Sequence, residues 1–169
     1  MDPARLPREA QRQPAQDPLG VFLVDDHARY RQCLKALLAG EAGLRIVGEA
    51  GDAAGALAAA GRCAPAPLAD VVLLDVAMPG MSGVTLARRL CQLAPASRLL
   101  ALSMHDDAGV VAAMLGAGAS GYLVKTDPLS EVLQALRTVA SGRCHLSAAL
   151  DPGLRQRLLA RESTGSSGP

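Results

Sequence analysis

Four short apolar runs in this chain end on a reactive polar residue: VFLV at Asp25 and Asp26, VVLL at Asp75, LLAL at Ser103 and GYLV at Lys125. Apolar runs of this length, bounded by turn residues and separated by helical periods, are the pattern of strands buried on both faces. Strands alternating with helices call for a parallel sheet with right-handed crossovers. Such a sheet presents the carboxyl ends of its strands along one edge, where folds of this class bind ligands. The four runs therefore deliver three carboxylates, a hydroxyl and an ammonium to a common edge. That set is complete for binding a divalent metal and carrying a phosphoryl group on an aspartate.

The rest of the chain fits this frame. The first strand, residues 19–25, leads into a helix whose apolar face carries Tyr30, Cys33, Leu34, Leu37 and Leu38 and which ends at Gly40. LRIVGEA reads as a second, alternating strand suited to a sheet edge. An Ala-rich helix over residues 52–62 comes next, then the third strand at 70–75. Ser82 is placed as N-cap of a helix with Val84, Ala87, Leu90 and Cys91 on its apolar face. The fourth strand spans 98–103. Asp106 or Asp107 caps the next helix, which runs to Leu115, and the fifth strand spans 119–124. Asp127 with Pro128 reads as an N-cap and first-turn pair opening a helix with the stripe Leu129, Val132, Leu133, Leu136 and Val139. Asp151 with Pro152 opens one more short helix through Leu159.

These units predict an α/β fold, a doubly wound three-layer α/β/α sandwich on a five-stranded parallel sheet of flavodoxin-like order 2-1-3-4-5. That order leaves the alternating second strand at the edge and sets Asp25 beside Asp75. Residues 1–18 hold four prolines, mixed charge and no apolar period, and read as a disordered leader. The main domain is expected over 19–142. Residues 143–169 form a C-terminal extension whose Ser/Gly/Pro end, 163–169, is of the flexible-linker type.

Composition removes several function classes. With 169 residues, 50% hydrophobic, there is apolar material for one core. The formal net charge of +1 leaves no basic footprint for a nucleic-acid backbone, so direct DNA binding by this chain is not expected. No stretch approaches the roughly 20 apolar residues that cross a bilayer, and the N-terminus is not signal-like, which predicts a cytoplasmic protein without membrane contact. The four cysteines lack metal-ligand spacing and read as reduced structural thiols, Cys33 and Cys91 on apolar helix faces.

Three carboxylates at adjoining strand ends repel one another unless a cation is present. Oxygen-only ligands suit a hard ion such as Mg²⁺. Ser103 and Lys125 then offer a hydroxyl and an ammonium to the oxygens of a phosphoryl group on Asp75. Any one of these residues alone would read as a helix cap or a surface ion pair. Their joint arrangement at four strand ends is what points to a site.

The combination resembles the receiver domain of two-component response regulators, with a CheY-like fold. The matching residues are the acidic pair Asp25 and Asp26, Asp75 in DVAMPGMSG, Ser103 in ALSMHDD, and Tyr122 three positions before Lys125 in GYLVK. The similarity covers residues 19–142. It implies that Asp75 accepts a phosphoryl group from a sensor histidine kinase, and that Mg²⁺ is held by Asp26, Asp75 and the backbone carbonyl of Ala77, with Asp25 acting partly through water. It implies that phosphorylation draws Ser103 toward the phosphate, lets Tyr122 turn inward and alters the face of the fourth helix, fifth strand and fifth helix, with a homodimer as one outcome. Self-phosphorylation and slow autodephosphorylation at Asp75 would be the chain's only chemistry.

DDH, GEAGD and LSMHDD resemble the NarL/LuxR-type subgroup, whose members carry a C-terminal helix-turn-helix. The stretch beyond Asp151 is too short for one, so either an output domain controlling transcription is cut away, as the GSSGP ending suggests, or the receiver stands alone. Thr126 stands where many receivers carry proline, so a trans Lys125–Thr126 peptide is expected.

Three rival readings fit the residues less well. Gly116, Gly118 and Gly121 spell GxGxxG, but they come after a helix and precede a strand, the reverse of a dinucleotide fingerprint. A haloacid-dehalogenase-like phosphatase also pairs Asp, Ser, Lys and Mg²⁺, yet needs an acid/base two residues after the nucleophile, where this chain has Ala77. A degenerate receiver serving as an interaction module sits poorly with an intact acidic pair, Asp75 and Lys125. His27 and His105 adjoin helix starts near the pocket and read as solvated or capping residues, His105 also standing where it could tune the access of water to the phosphate.

Overall fold

The computed structural model describes residues 17–165, with side chains through residue 160. The leader expected at 1–18 lies, up to residue 16, outside the described residues, as do residues 166–169 of the C-terminal run.

The elements are β1 (Leu19–Val24), α1 (Ala28–Ala39), β2 (Leu44–Ala50), α2 (Ala53–Cys63), β3 (Val71–Asp75), α3 (Gly83–Leu93), β4 (Arg98–Ser103), α4 (Ala108–Gly116), β5 (Ala119–Val124), α5 (Leu129–Ala140), β6 (His145–Leu146) and α6 (Pro152–Gly165). The sheet is parallel throughout, in the order β2-β1-β3-β4-β5-β6. The flavodoxin-like order holds for the first five strands, and a sixth is added beyond β5.

Alternation along the interior strands divides the core in two. Val21, Leu23, Val71, Leu73, Leu100, Leu102 and Leu123 meet α1 and α5 through Leu34, Leu38, Val132, Leu136 and Val139. The intervening positions, Phe22, Val24, Val72, Leu74, Leu99, Ala101 and Tyr122, meet α2, α3 and α4. Both faces are apolar because both are covered, which explains why these strands read as continuous hydrophobic runs. At β2, the register slips between Val21 and Phe22, so that Val21 pairs with Ile46 and Phe22 with Gly48, leaving Val47 as an extra, outward residue.

Helix starts follow local chemistry. Asp52, Ser82, Asp107 and Asp151 each accept a backbone N–H from the first turn of the helix they precede. Asp127 does not cap α5 as the sequence suggests. Pro128 holds the N-cap position, and the Asp127 carboxylate accepts from the N–H of Val124 at 2.9 Å and the Ser147 hydroxyl at 2.8 Å. On α1 only Leu34 and Leu38 are buried, while Cys33 and Leu37 are exposed, so the apolar face is narrower than expected. The glycine triplet is a helix-to-strand turn, with Gly118 at φ +104°. The Lys125–Thr126 peptide is trans, and the cis bond among the described residues is Ala64–Pro65.

The core continues past Gly142. Leu146, Leu150, Leu154 and Leu158 are buried against the α2/α3/α4 side, and α6 runs on to Gly165, further than the short helix expected. β6 pairs with Gly121 and Tyr122 of β5. A Cβ at Gly121 would stand 2.6 Å from the His145 carbonyl, so the approach of β6 requires glycine there. Four further bonds fasten the segment. Ser147 N–H donates to the Tyr122 carbonyl, Ser147 Oγ to Asp127, His145 Nε2 meets Glu131 Oε1 at 2.9 Å, and Ala148 N–H donates to the same oxygen.

Leu150 is 1% exposed. Leu150→Ala is therefore expected to cost about 2–5 kcal/mol in urea unfolding, the usual cost of such a truncation in a core; an unchanged midpoint would mean that the C-terminal segment does not pack in solution.

Candidate functional site

Asp25, Asp75 and Lys125 directly follow, or end, strands whose last alternate residues are Leu23, Leu73 and Leu123, all on the α1/α5 side. Ser103 continues Ala101, on the other side with Tyr122. This parity sorts the site. The Lys125 ammonium donates to Asp25 Oδ2 at 2.7 Å and to Asp75 Oδ2 at 2.9 Å. Ser103 is buried in the adjoining layer, its Oγ accepting the N–H of His105 at 3.1 Å.

The three pocket members in the first layer are almost dry, at 6% exposure for the Asp25 and Lys125 side chains and 1% for Asp75. Each carboxylate has its second oxygen turned to a backbone donor. Asp25 Oδ1 accepts from His27 N–H at 2.7 Å and Asp75 Oδ1 from Ala77 N–H at 3.0 Å. The Lys125 pKa reflects a contest. Burial on its own would lower it, but the hydrogen bonds and charges of Asp25 and Asp75 prevail and hold it above the ordinary value of 10.5.

Asp26 completes the acidic group from the start of the β1–α1 turn. Its Oδ1 is buried without a hydrogen bond, a costly state for a carboxylate oxygen unless a cation satisfies it. Ligand atoms of Asp25, Asp26, His27 and Asp75 all lie within 4.8 Å of one another. Three carboxylates thus face one ammonium, with the His27 ring 3.0 Å from Asp26 Oδ1, and this oxygen-rich donor set fits a divalent cation. Asp25, already bonded to Lys125 and His27 N–H, has less to offer such an ion than Asp26.

Tyr122 lies in the same layer as Ser103. It is fully buried, and its hydroxyl donates to the His105 carbonyl at 2.8 Å. Burial raises its pKa, against the opposing effect of a hydrogen bond with Ser103. Ser103 and Tyr122 both hold the backbone of His105, one through its N–H and the other through its carbonyl.

Sequence reasoning passed over two neighbours. Tyr30, read only as part of an apolar helix face, places its ring 4.7 Å from Lys125 Nζ, within cation–π range. Arg31 donates to the Asp25 carbonyl and to Glu49 Oε2, tying α1 to the edge strand. Their place in the first turn of α1, which begins just after the acidic pair, was the available signal. His27, read as solvated or capping, makes no side-chain cap bond; its ring is largely exposed, yet Nδ1 lies 3.0 Å from Asp26 Oδ1.

Residues 21–137 match the response regulator receiver domain family. The nitrate/nitrite response regulator protein NarP of Escherichia coli is 35% identical over 144 residues, which are 85% of this chain and 65% of that protein. The chain thus spans less than two thirds of NarP. A LuxR-family two-component response regulator from Aurantimonas superposes with a TM-score of 0.72 at 30% identity, covering 87% of this chain and 99% of that one. The receiver domain of the putative response regulator NarL from Mycobacterium tuberculosis gives 0.69 at 34%, covering 76% and 100%.

Removing the ammonium leaves two buried carboxylates facing each other, so Lys125→Met is expected to cost about 3–5 kcal/mol at neutral pH. Because folding raises the Lys125 pKa, its contribution is fully present below about 10.5 and is lost as pH rises through the higher folded value. Urea unfolding at several pH values should show the gap between wild type and variant narrowing above that point. A gap that widened instead would contradict the pairing.

Proposed function

The chain belongs to the response regulator receiver family, of the NarL/LuxR type, and from that premise we propose that Asp75 accepts a phosphoryl group from a sensor histidine kinase with a divalent cation, Mg²⁺ in the first instance, bound beside it. The observation that carries this reading is the pocket's charge arrangement, with Lys125 spanning Asp25 and Asp75 while Asp26 Oδ1 is left without a hydrogen bond.

Asp26, Asp75 and the backbone carbonyl of Ala77 would hold the ion, with Asp25 acting partly through water. The ion supplies shielding of the carboxylates from an incoming anionic phosphoryl donor. An Asp75 oxygen forms the bond to phosphorus as the P–N bond of the donor phosphohistidine breaks, the electron pair returning to the donor imidazole. Lys125, already donating to Asp75 Oδ2, follows the charge onto the phosphoryl oxygens. Ser103 turns its hydroxyl to the same group. That weakens its bond to His105 N–H, and the β4–α4 loop, held also by Tyr122, shifts with it. A local change of charge is thereby read out at a distance.

Ala77 offers Asp75 a backbone N–H and no side-chain acid or base, which favours a switch that retains its phosphate over a phosphatase that turns over. NarP and DegU are called a response regulator and a transcriptional regulatory protein. By extension the switch described here serves transcription in the cytoplasm, acting through an output domain. No described helix is long and apolar enough to cross a membrane. Self-association of the phosphorylated form belongs to the proposal and is read by light scattering with and without beryllofluoride.

Incubation with Mg²⁺ and acetyl phosphate should give one labile phosphoryl adduct by intact mass, absent in Asp75→Asn and absent when Mg²⁺ is chelated. An adduct that survives in Asp75→Asn would overturn the assignment, and steady release of phosphate from phosphomonoesters would favour the phosphatase.

A further inference from the structure

We propose that Tyr30 is a positioning residue for phosphoryl transfer to Asp75: the face of its ring holds the Lys125 ammonium at the pocket while leaving it free to pass from the carboxylate to the incoming phosphoryl group. This inference rests on the phospho-acceptor reading given above and assigns a part in that step to a residue of α1.

An ammonium has three N–H donors. Two of those on Lys125 go to Asp25 Oδ2 at 2.7 Å and Asp75 Oδ2 at 2.9 Å. A further side is closed by Tyr30, over whose ring Nζ stands 4.7 Å from the centroid, inside the distance of about 6 Å at which an aromatic face attracts a cation. With the Lys125 side chain 6% exposed, little water competes, and the attraction is stronger than on a surface. The ring is itself held in place. It packs with the core on the α1/α5 side, and the turn that carries it is tied twice to Asp25, His27 N–H donating to Oδ1 and Arg31 to the carbonyl. Burial raises the pKa of the Tyr30 hydroxyl, Lys125 opposes the rise, and Asp25 and Asp75 add to it. At neutral pH the side chain is therefore an uncharged phenol, and it meets the ammonium with its ring.

An aromatic face suits this place for a physical reason. As an Asp75 oxygen bonds phosphorus and the donor's bond to phosphorus breaks, its electron pair leaving with the donor, Lys125 keeps its protons and turns from Asp75 Oδ2 to the phosphoryl oxygens. A third carboxylate at position 30 would hold the ammonium back through a directional, charge-assisted bond. An aliphatic side chain would give it no attraction on that side, leaving Asp25 alone to set its position. The ring attracts through negative charge spread over its face, so the attraction persists as Nζ moves a short way across it. A ring present only to fill apolar space would be indifferent to that charge distribution, and leucine or a fluorinated ring would serve as well.

The test is the rate of adduct formation from acetyl phosphate with Mg²⁺, followed by intact mass over a range of donor concentrations in the whole chain. Tyr30→Phe, which keeps the ring face, should react within about twofold of wild type, and Tyr30→Leu should be about five- to tenfold slower. Stepwise fluorination of the phenylalanine in Tyr30→Phe withdraws charge from the face at nearly constant shape. The maximal rate should fall with each added fluorine, by about five- to tenfold in all, while the donor concentration at half-maximal rate and the Mg²⁺ affinity by calorimetry stay within about twofold. The fluorinated series keeps the test independent of how Tyr30→Leu folds. Rates that stay level across that series overturn the proposal and leave Asp75 as acceptor. A loss in Tyr30→Phe as large as that in Tyr30→Leu overturns it too, since the hydroxyl would then carry the effect. So does a fall in rate that follows weakened Mg²⁺ binding. Absence of any adduct on the wild-type chain overturns both this inference and the phospho-acceptor reading.

Discussion

The two hydrogen bonds from Lys125 to Asp25 and Asp75 tie together the ends of three strands. They cross the sheet. β4 lies between β5 and β3, so the ammonium reaches past one strand to meet Asp75, over two spacings of about 4.8 Å each. Only a long, flexible side chain spans that distance, and only if the strand ends are level and on the same alternation. The ion pair is thus satisfied by the sheet order itself, and a one-residue slip in β1, β3 or β5 would turn one partner to the opposite face.

That constraint explains why the pocket was legible in the sequence. Asp25, Asp75, Ser103 and Lys125 stand at the ends of apolar runs whose lengths and parity can be counted, and β2, β4 and β5 fall where the runs place them. Features made by tertiary contact were not legible. β6 is two residues long and carries no period; its mark in the sequence is Gly121, needed by a strand that approaches from elsewhere. Asp127 before Pro128 has the form of a helix cap, but its carboxylate bonds Ser147, twenty residues on. Cys33 and Leu37 lie on the helical period and are nonetheless exposed, since only Leu34 and Leu38 of α1 are buried. The direction of the His27 ring is a choice of rotamer that no spacing records.

The β5–α5 turn joins the two halves of the molecule. Lys125 points from it into the acidic pocket, and two residues later Asp127 bonds the backbone of Val124 and the hydroxyl of Ser147. Tyr122 makes a similar link, its hydroxyl on the β4–α4 loop and its carbonyl bonded to Ser147 N–H. The residues proposed to sense charge and those that fasten the C-terminal segment are therefore neighbours along one short stretch of backbone.

The extra residue at Val47 gives the sheet a further property. A long, level outer strand offers its unpaired amides and carbonyls as a template on which another chain can lay a strand. Here the bulge bends β2 out of line with its own ladder, and at the opposite margin β6 is too short to serve. Among the described residues neither margin extends readily into a second molecule's sheet. A second copy, were one to bind, would meet the side chains of the helices rather than a bare strand edge.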